Sequence, residues 1–153
     1  MKKILQTNES YAATIVRIML GLVLFPHGAQ KLLGWFGGYG FSGTMQFFTG
    51  TMHLPWIIGF LVIMVEFFGA LLLIAGLATR LVSLAVIINF AGIILTSHIS
   101  NGFFINWFGN QAGEGYEYHL LVIGMAAALL VNGAGKLSLD RLISRLNSFH
   151  PGF

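Results

Sequence analysis

The chain has 153 residues, of which 56% are hydrophobic and 8% charged, and a net charge of +3. Soluble domains carry roughly a quarter charged residues, so this balance excludes an ordinary water-soluble globule, and it excludes disorder, which needs the opposite bias. The small net charge does not point to nucleic acid, the length suits one domain over 1–153, and the lack of any cysteine excludes disulfides, thiolate metal sites and a CxxC redox relay within this chain.

The opening MKKILQTNES lacks the apolar stretch and small-residue cleavage site of a removable leader. Four apolar segments follow, at about 12–33, 55–77, 81–99 and 116–133. Each is near the ~20 residues that cross ~30 Å of hydrocarbon. Backbone groups in lipid must be bonded internally, so the segments are expected as helices. The expected fold is an all-α integral membrane four-helix bundle.

On the first segment Arg17, Gly21, Gly28 and Lys31 fall on one stripe at ~100° of turn per residue, with His27 at its edge. Glycines on such a stripe let another helix approach closely. Pro26 lies on the opposite face, where its missing N–H favours a kink. The glycine-rich connection 34–54 holds an apolar stretch, 43–52, too short to cross and suited to a short interfacial helix. Pro55 suits the first turn of the second segment, where Glu66 shares a face with Gly59, Val62, Gly69 and Leu73 and so points inward. GLATR at 76–80 reads as a tight turn. On the third segment Ala85, Asn89, Gly92 and Thr96 share a face, with His98 phased opposite Asn89. After a second long connection, 100–115, the fourth segment gathers Glu117, Leu121, Gly124, Ala128 and Gly135 on one expected inward face. That phase puts His119 about 160° from Glu117, toward headgroups or water. The tail 138–149 alternates Leu139, Leu142, Ile143 and Leu146 with basic residues, as an amphipathic helix on the membrane surface does.

Orientation follows from Lys and Arg. Lys2, Lys3, Arg80, Lys136, Arg141 and Arg145 fall on one side of a four-span arrangement, which makes that side and both termini cytoplasmic. Trp35, Trp56, Trp107, Tyr39, Tyr116 and Tyr118 fall at the other boundary and read as an aromatic belt. His53 and His150 lie outside the segments and are expected in solvent.

A charge inside a bilayer needs a partner or a purpose. Arg17 and Glu66 are expected to meet as a buried ion pair that fixes helix register, with a catalytic role as the alternative. His27, Lys31, Glu117 and His98 lie at similar depth in the other half and form the candidate site. His27 and Glu117 suit proton transfer. Lys31, Asn89, His98 and Trp35 are the candidate ligand contacts. The simpler alternatives are that Lys31 snorkels to the interface and His27 bonds a neighbouring helix. No HxxxH or HExxH spacing occurs, so neither a metal nor haem is expected.

The runs RIMLGLVLFPHGAQKLLGW, VEFFGALLLIAGLATR, GYEYHLL and GAGKLSLD, taken in order, resemble the DoxX family of small bacterial membrane proteins. The matching positions are Arg17, Gly21, Gly28, Lys31, Leu32, Glu66, Gly69, Gly76, Thr79, Arg80, Glu117 and the 135–140 run. The family takes its name from a subunit of thiosulfate:quinone oxidoreductase. The resemblance implies a multi-pass protein of the bacterial inner (plasma) membrane with a quinone-linked redox role. It implies quinone as the bound cofactor and a redox partner protein; membrane lipid and a second copy of the chain are further expected partners. The competing expectation is a non-enzymatic lipid or small-molecule binder, or an assembly scaffold. A transporter is disfavoured, since the two halves show no internal repeat.

Overall fold

In the computed structural model, residues 7–149 are described; Lys2, Lys3 and His150 lie outside them. Every regular element among these residues is helical. Helix α1, Tyr11–Leu33, starts where the Ser10 hydroxyl accepts from the Ala13 amide at 3.3 Å and stops at Gly34, whose φ of 75° no longer propagates a helix. Pro26 sits inside it. Ile15, Met19 and Leu22 are exposed on one side, while Leu20, Gly21, Leu24 and Gly28 are buried on the other.

The first connection carries a 3₁₀ turn at Trp35–Gly37 and then α2, Gly40–Gln46, which runs on as a π-helical turn, Phe47–Thr51. The short helix expected at 43–52 is therefore present and begins three residues earlier. Its Met45 and Phe48 pack with Ile63 as a small second apolar cluster.

Pro55 lies just ahead of α3, Trp56–Met64, which passes through a π-helical turn, Val65–Gly69, into α4, Ala70–Ala75. Together they form one apolar helix of 20 residues, Trp56–Ala75 (the second helix). Gly76 ends it at φ 71°, with its amide on the Leu73 carbonyl and the Leu77 amide on the Leu72 carbonyl. That doubled closure needs a left-handed residue, which glycine supplies without a Cβ penalty. Helix α5, Thr79–Ile93, follows at once and continues through a third π-helical turn, Ile94–His98, to Asn101. Helix α6, Glu117–Asn132, has 16 residues, and α7, Leu139–Phe149, forms the amphipathic tail. By length and composition, Tyr11–Leu33, Trp56–Ala75 and Thr79–Asn101 are each able to cross a membrane; α6 is apolar but shorter.

Helix α1 packs on α4, on the Val65–Gly69 turn and on α6, while α5 packs on α6. A Cβ built on Gly28 would stand 2.5 Å from Phe67 Cα, and one on Gly21 would stand 2.9 Å from the Ala70 carbonyl. The expected glycine stripe is thus the seam where α1 and the second helix meet backbone to backbone. Leu20, Leu24, Leu73, Val86, Ala126 and Leu129 fill the shared core.

The expected Arg17–Glu66 pair does not form. The Arg17 side chain, 1% exposed, reaches the opposite way. Its Nε donates to the Ala134 carbonyl at 2.9 Å, its Nη1 to the Leu73 and Ile74 carbonyls (the latter at 2.7 Å), and its Nη2 to the Leu137 carbonyl at 2.5 Å. The carbonyls that end a helix carry the negative end of its dipole and lack intrahelical partners. A guanidinium with five fixed donors satisfies several of them at once. The same end holds the Asp140 carboxylate, which accepts from the Ala78 and Thr79 amides at 2.7 and 2.9 Å and so caps α5 from α7. Nearby, Lys136 lies over the Tyr11 ring, 4.5 Å from its centroid. Glu9 pairs with Arg141 and, at 3.3 Å, with Arg145. This is the basic end of the molecule; the two long connections lie at the other, loop end.

Arg17→Met strands carbonyls of two segments, the end of α4 and the connection after α6, and is expected to cost about 2–4 kcal/mol of stability. Gly28→Val forces apart two helix backbones and is expected to cost at least as much. Thermal unfolding in detergent checks both, with Gly50→Ala as the control, since nothing lies within 4 Å of a Cβ there.

Candidate functional site

A cavity of about 1030 Å³ occupies the loop-end half of the molecule. The second helix supplies one wall with Ile58, Leu61, Val62, Val65 and Glu66. Helix α5 and its extension supply another with Ala85, Ile88, Asn89, Gly92, Thr96 and His98. His27 and Lys31 of α1 and Tyr118 and His119 of α6 complete it, under Phe48, Ile105 and Gly115 of the two connections. The second helix and α5 touch along the Val65–Gly69 turn and α4, toward the basic end. Farther along, Leu61 and Ile88 line the cavity and remain 48% and 65% exposed. The cavity therefore opens sideways through an apolar slot.

The polar centre is Glu66, 2% exposed. Lys31 Nζ donates to its Oε2 at 2.6 Å, and Asn89 Nδ2 donates to its Oε1 at 3.4 Å. Lys31 thus turns inward to the carboxylate, with a quarter of its side chain still exposed, rather than out to the interface. A short charge-assisted bond of this kind offsets the desolvation that isolated charges would suffer. The pair is neutral as a whole and presents a strong local dipole to an apolar space.

Local backbone geometry places these groups. Glu66 rides on the Val65–Gly69 π-helical turn, and His98 closes the Ile94–His98 one. A π-helical turn bonds i to i+5 and inserts an extra residue into the ladder. The 100° count phased His98 opposite Asn89; the wider turn carries both onto the cavity wall. Ala85, Asn89, Gly92 and Thr96, expected to share a face, all line it as well.

His98 Nδ1 lies 2.7 Å from the Glu114 carbonyl oxygen, which only accepts, so Nδ1 carries the proton. The His98 and His119 ring centroids are 4.2 Å apart. His27 faces Tyr118 at 6.3 Å between centroids, and Phe90 lies 5.7 Å from His119. The Tyr118 hydroxyl and His119 Nδ1 are buried without a hydrogen-bond partner. Among the described residues, no three His, Asp or Glu side chains gather as a metal site.

Three expectations need correction. Glu117 does not line the cavity; its Oε1 accepts from the Ile105 amide at 2.8 Å and anchors the second connection. Glu114 does the same for the Asn106 amide at 2.8 Å. Trp35 does not line the cavity either: it is exposed and meets Phe25 and Phe36 edge-on. The inward face of α6 is His119, Val122, Ala126 and Leu129, while Leu121 is 69% exposed. His119, expected toward headgroups or water, is instead 8% exposed and lines the cavity, and Tyr118, expected in the aromatic belt, lines it as well. Helix α6 is apolar nearly all round, so periodicity alone does not phase it. The available signal was the pair of adjacent hydrogen-bonding rings at the start of an otherwise apolar helix.

The sequence matches the DoxX family over residues 12–99. It is 30% identical over 138 residues to a protein of Bacillus subtilis (strain 168) named "Putative oxidoreductase CatD", across 89% of this chain and 91% of that protein. No solved structure matches the chain.

Lys31→Met leaves Glu66 buried beside Asn89 alone and is expected to destabilise the protein by about 2–4 kcal/mol, discounted for the partial exposure of Lys31. The double variant Lys31→Met, Glu66→Gln is expected to recover at least half of that loss, because no unpaired charge remains. A double-mutant cycle on unfolding midpoints in nanodiscs measures it; additive losses would show that the two side chains do not interact.

Proposed function

The chain belongs to the DoxX family, and we propose that it is a quinone-linked subunit of a membrane oxidoreductase whose site is the cavity around Glu66. The observation that carries this reading is a buried, salt-bridged carboxylate in the wall of a large apolar cavity that opens sideways. Buried ionisable groups of this kind concentrate at functional sites. The similarity to a relative whose name includes oxidoreductase supports the redox assignment.

The residues present fit a quinone headgroup. Lys31 offers a cationic donor and Asn89 an amide, and the hydroxyl of Tyr118 and the Nδ1 of His119 have no protein partner. The remaining wall is apolar and suits a ring and a hydrocarbon tail. A bound quinone would supply the two-electron, two-proton chemistry, with the electrons delivered by a partner redox protein. Lys31 orients a headgroup oxygen by hydrogen bonding. Glu66 accepts or gives up a proton at Oε1, the oxygen that faces Asn89, while Lys31 holds Oε2. His27, which lines the cavity beside Lys31, serves as a second proton carrier. The apolar walls keep bulk water from the proton exchange.

In this reading the protein is a four-helix bundle of the bacterial inner membrane. Its basic end, with Arg80, Lys136, Arg141 and Arg145, faces the cytoplasm. A second reading, a lipid-binding protein without enzymatic activity, is favoured by the exposed Leu61 and Ile88 at the slot, which suit an acyl chain equally well.

Protein in nanodiscs is expected to bind decylubiquinone saturably, with affinity reduced about tenfold in Lys31→Met and in Glu66→Gln, the loss of one hydrogen bond to a charged group. Unchanged binding in both variants would remove the site from this cavity. Native mass spectrometry showing retained phospholipid, together with no saturable quinone binding, would replace the redox reading with the lipid one.

A further inference from the structure

Two buried polar atoms of the cavity remain outside the Lys31–Glu66–Asn89 cluster. They are the Tyr118 hydroxyl and His119 Nδ1, both on α6. His119 is 8% exposed, its residue lines the cavity, and Nδ1 has no hydrogen-bond partner in the protein. Leaving such an atom unpaired costs about 1–3 kcal/mol, and most buried polar groups are therefore bonded. Among the described residues, the other two unpartnered buried atoms, Thr79 Oγ1 and Ser83 Oγ, belong to residues that do not line the cavity. The two orphans thus belong to residues that line the cavity.

Their surroundings make a built subsite. The His98 ring stands 4.2 Å from the His119 ring, centroid to centroid. Its Nδ1 is committed to the Glu114 carbonyl, which fixes the ring orientation and leaves Nε2 as the free nitrogen. Phe90 packs against both Tyr118 and His119, at 6.4 and 5.7 Å between centroids, and gives a flat aromatic neighbour for a ring. This group lies on the α5–α6 side, whereas Lys31 and Glu66 lie on α1 and the second helix. The cavity therefore has two sets of hydrogen-bonding groups, one centred on Glu66 and one on α6, with His27 facing Tyr118 at 6.3 Å between ring centroids.

We propose that Tyr118 and His119, backed by His98, form a second hydrogen-bonding subsite, so that the cavity selects a ring-headed amphiphile with oxygens at two opposed positions. One oxygen bonds Lys31 and the other bonds Tyr118 and His119. The hydrocarbon tail leaves through the slot between Leu61 and Ile88. This rests on the reading of the cavity as a quinone site and narrows it: a fatty acid or phospholipid, with polar groups at one end alone, satisfies one wall and strands the other.

The test compares two probes in nanodiscs, decylubiquinone and 4-decylphenol, which keeps the ring and tail but has one oxygen. Wild-type protein is expected to bind decylubiquinone at least tenfold more tightly. Tyr118→Phe and His119→Phe are each expected to weaken decylubiquinone about tenfold, about 1.4 kcal/mol. They should leave 4-decylphenol within about twofold, because its hydroxyl bonds the charged Lys31–Glu66 pair. His119→Gln, which keeps a donor and an acceptor, should recover part of the loss. Unfolding midpoints close to wild type confirm that the variants fold. If both Phe variants bind decylubiquinone like wild type, or lose both probes equally, the subsite is overturned while the quinone reading stands. If wild-type protein binds neither probe, both readings fall.

Discussion

The structure depends on one buried guanidinium. Arg17 draws the carbonyl end of the second helix, the turn after α6 and the body of α1 onto a single planar group. In a low-dielectric interior, helix-end carbonyls without partners are costly, and an arginine without acceptors is costlier still. Each solves the other's problem. The space is closed so tightly that a Cβ on Gly76 would lie 2.8 Å from the Arg17 Cζ. Glycine is thus demanded there twice, by the left-handed turn and by the arginine beneath it. Asp140 completes the arrangement by placing a carboxylate on the amide end of α5, where the helix dipole favours it. Backbone dipoles and two side-chain charges tie four segments together at the basic end.

That clamp has a consequence at the other end. With the helices held together near Arg17, the second helix and α5 are in contact toward that end and leave a cavity beyond it. The three π-helical turns lie in elements that border this cavity, at Phe47–Thr51, Val65–Gly69 and Ile94–His98. Each re-aims side chains that regular α-helix would direct elsewhere, and such turns gather at functional sites. Structural charge and functional charge are accordingly separated: Arg17 and Asp140 bond mainly to backbone, while Glu66 bonds to the side chains of Lys31 and Asn89 and keeps a place on the cavity wall.

An ion pair at the edge of an apolar space has chemical character of its own. It presents no net charge, so a neutral amphiphile enters without an electrostatic penalty, yet it offers a strong donor and a proton-accepting oxygen a few ångströms apart. The rings of Tyr118, His119 and His98 line the same cavity, and the loop residues Glu114 and Glu117 help to roof it. Those two carboxylates hold loop amides, and that is why the second connection forms a defined cover over the cavity.

The sequence by itself determined the helical class, the positions of the apolar segments to within a few residues, the α1 glycine seam, the α5 cavity face and the inward placement of Glu66. These follow from hydropathy and from a 3.6-residue period read against small residues, both local properties. Only the tertiary structure decided who meets whom. Arg17 sits too near the basic end to reach Glu66 and finds helix-end carbonyls, while Lys31 is brought to Glu66 because Gly28 lets the two backbones touch. The phase of α6 and the place of His98 were also beyond the sequence. A helix apolar on nearly all sides is not phased by its periodicity, and a π-helical turn shifts the phase in a way that no fixed angle per residue records.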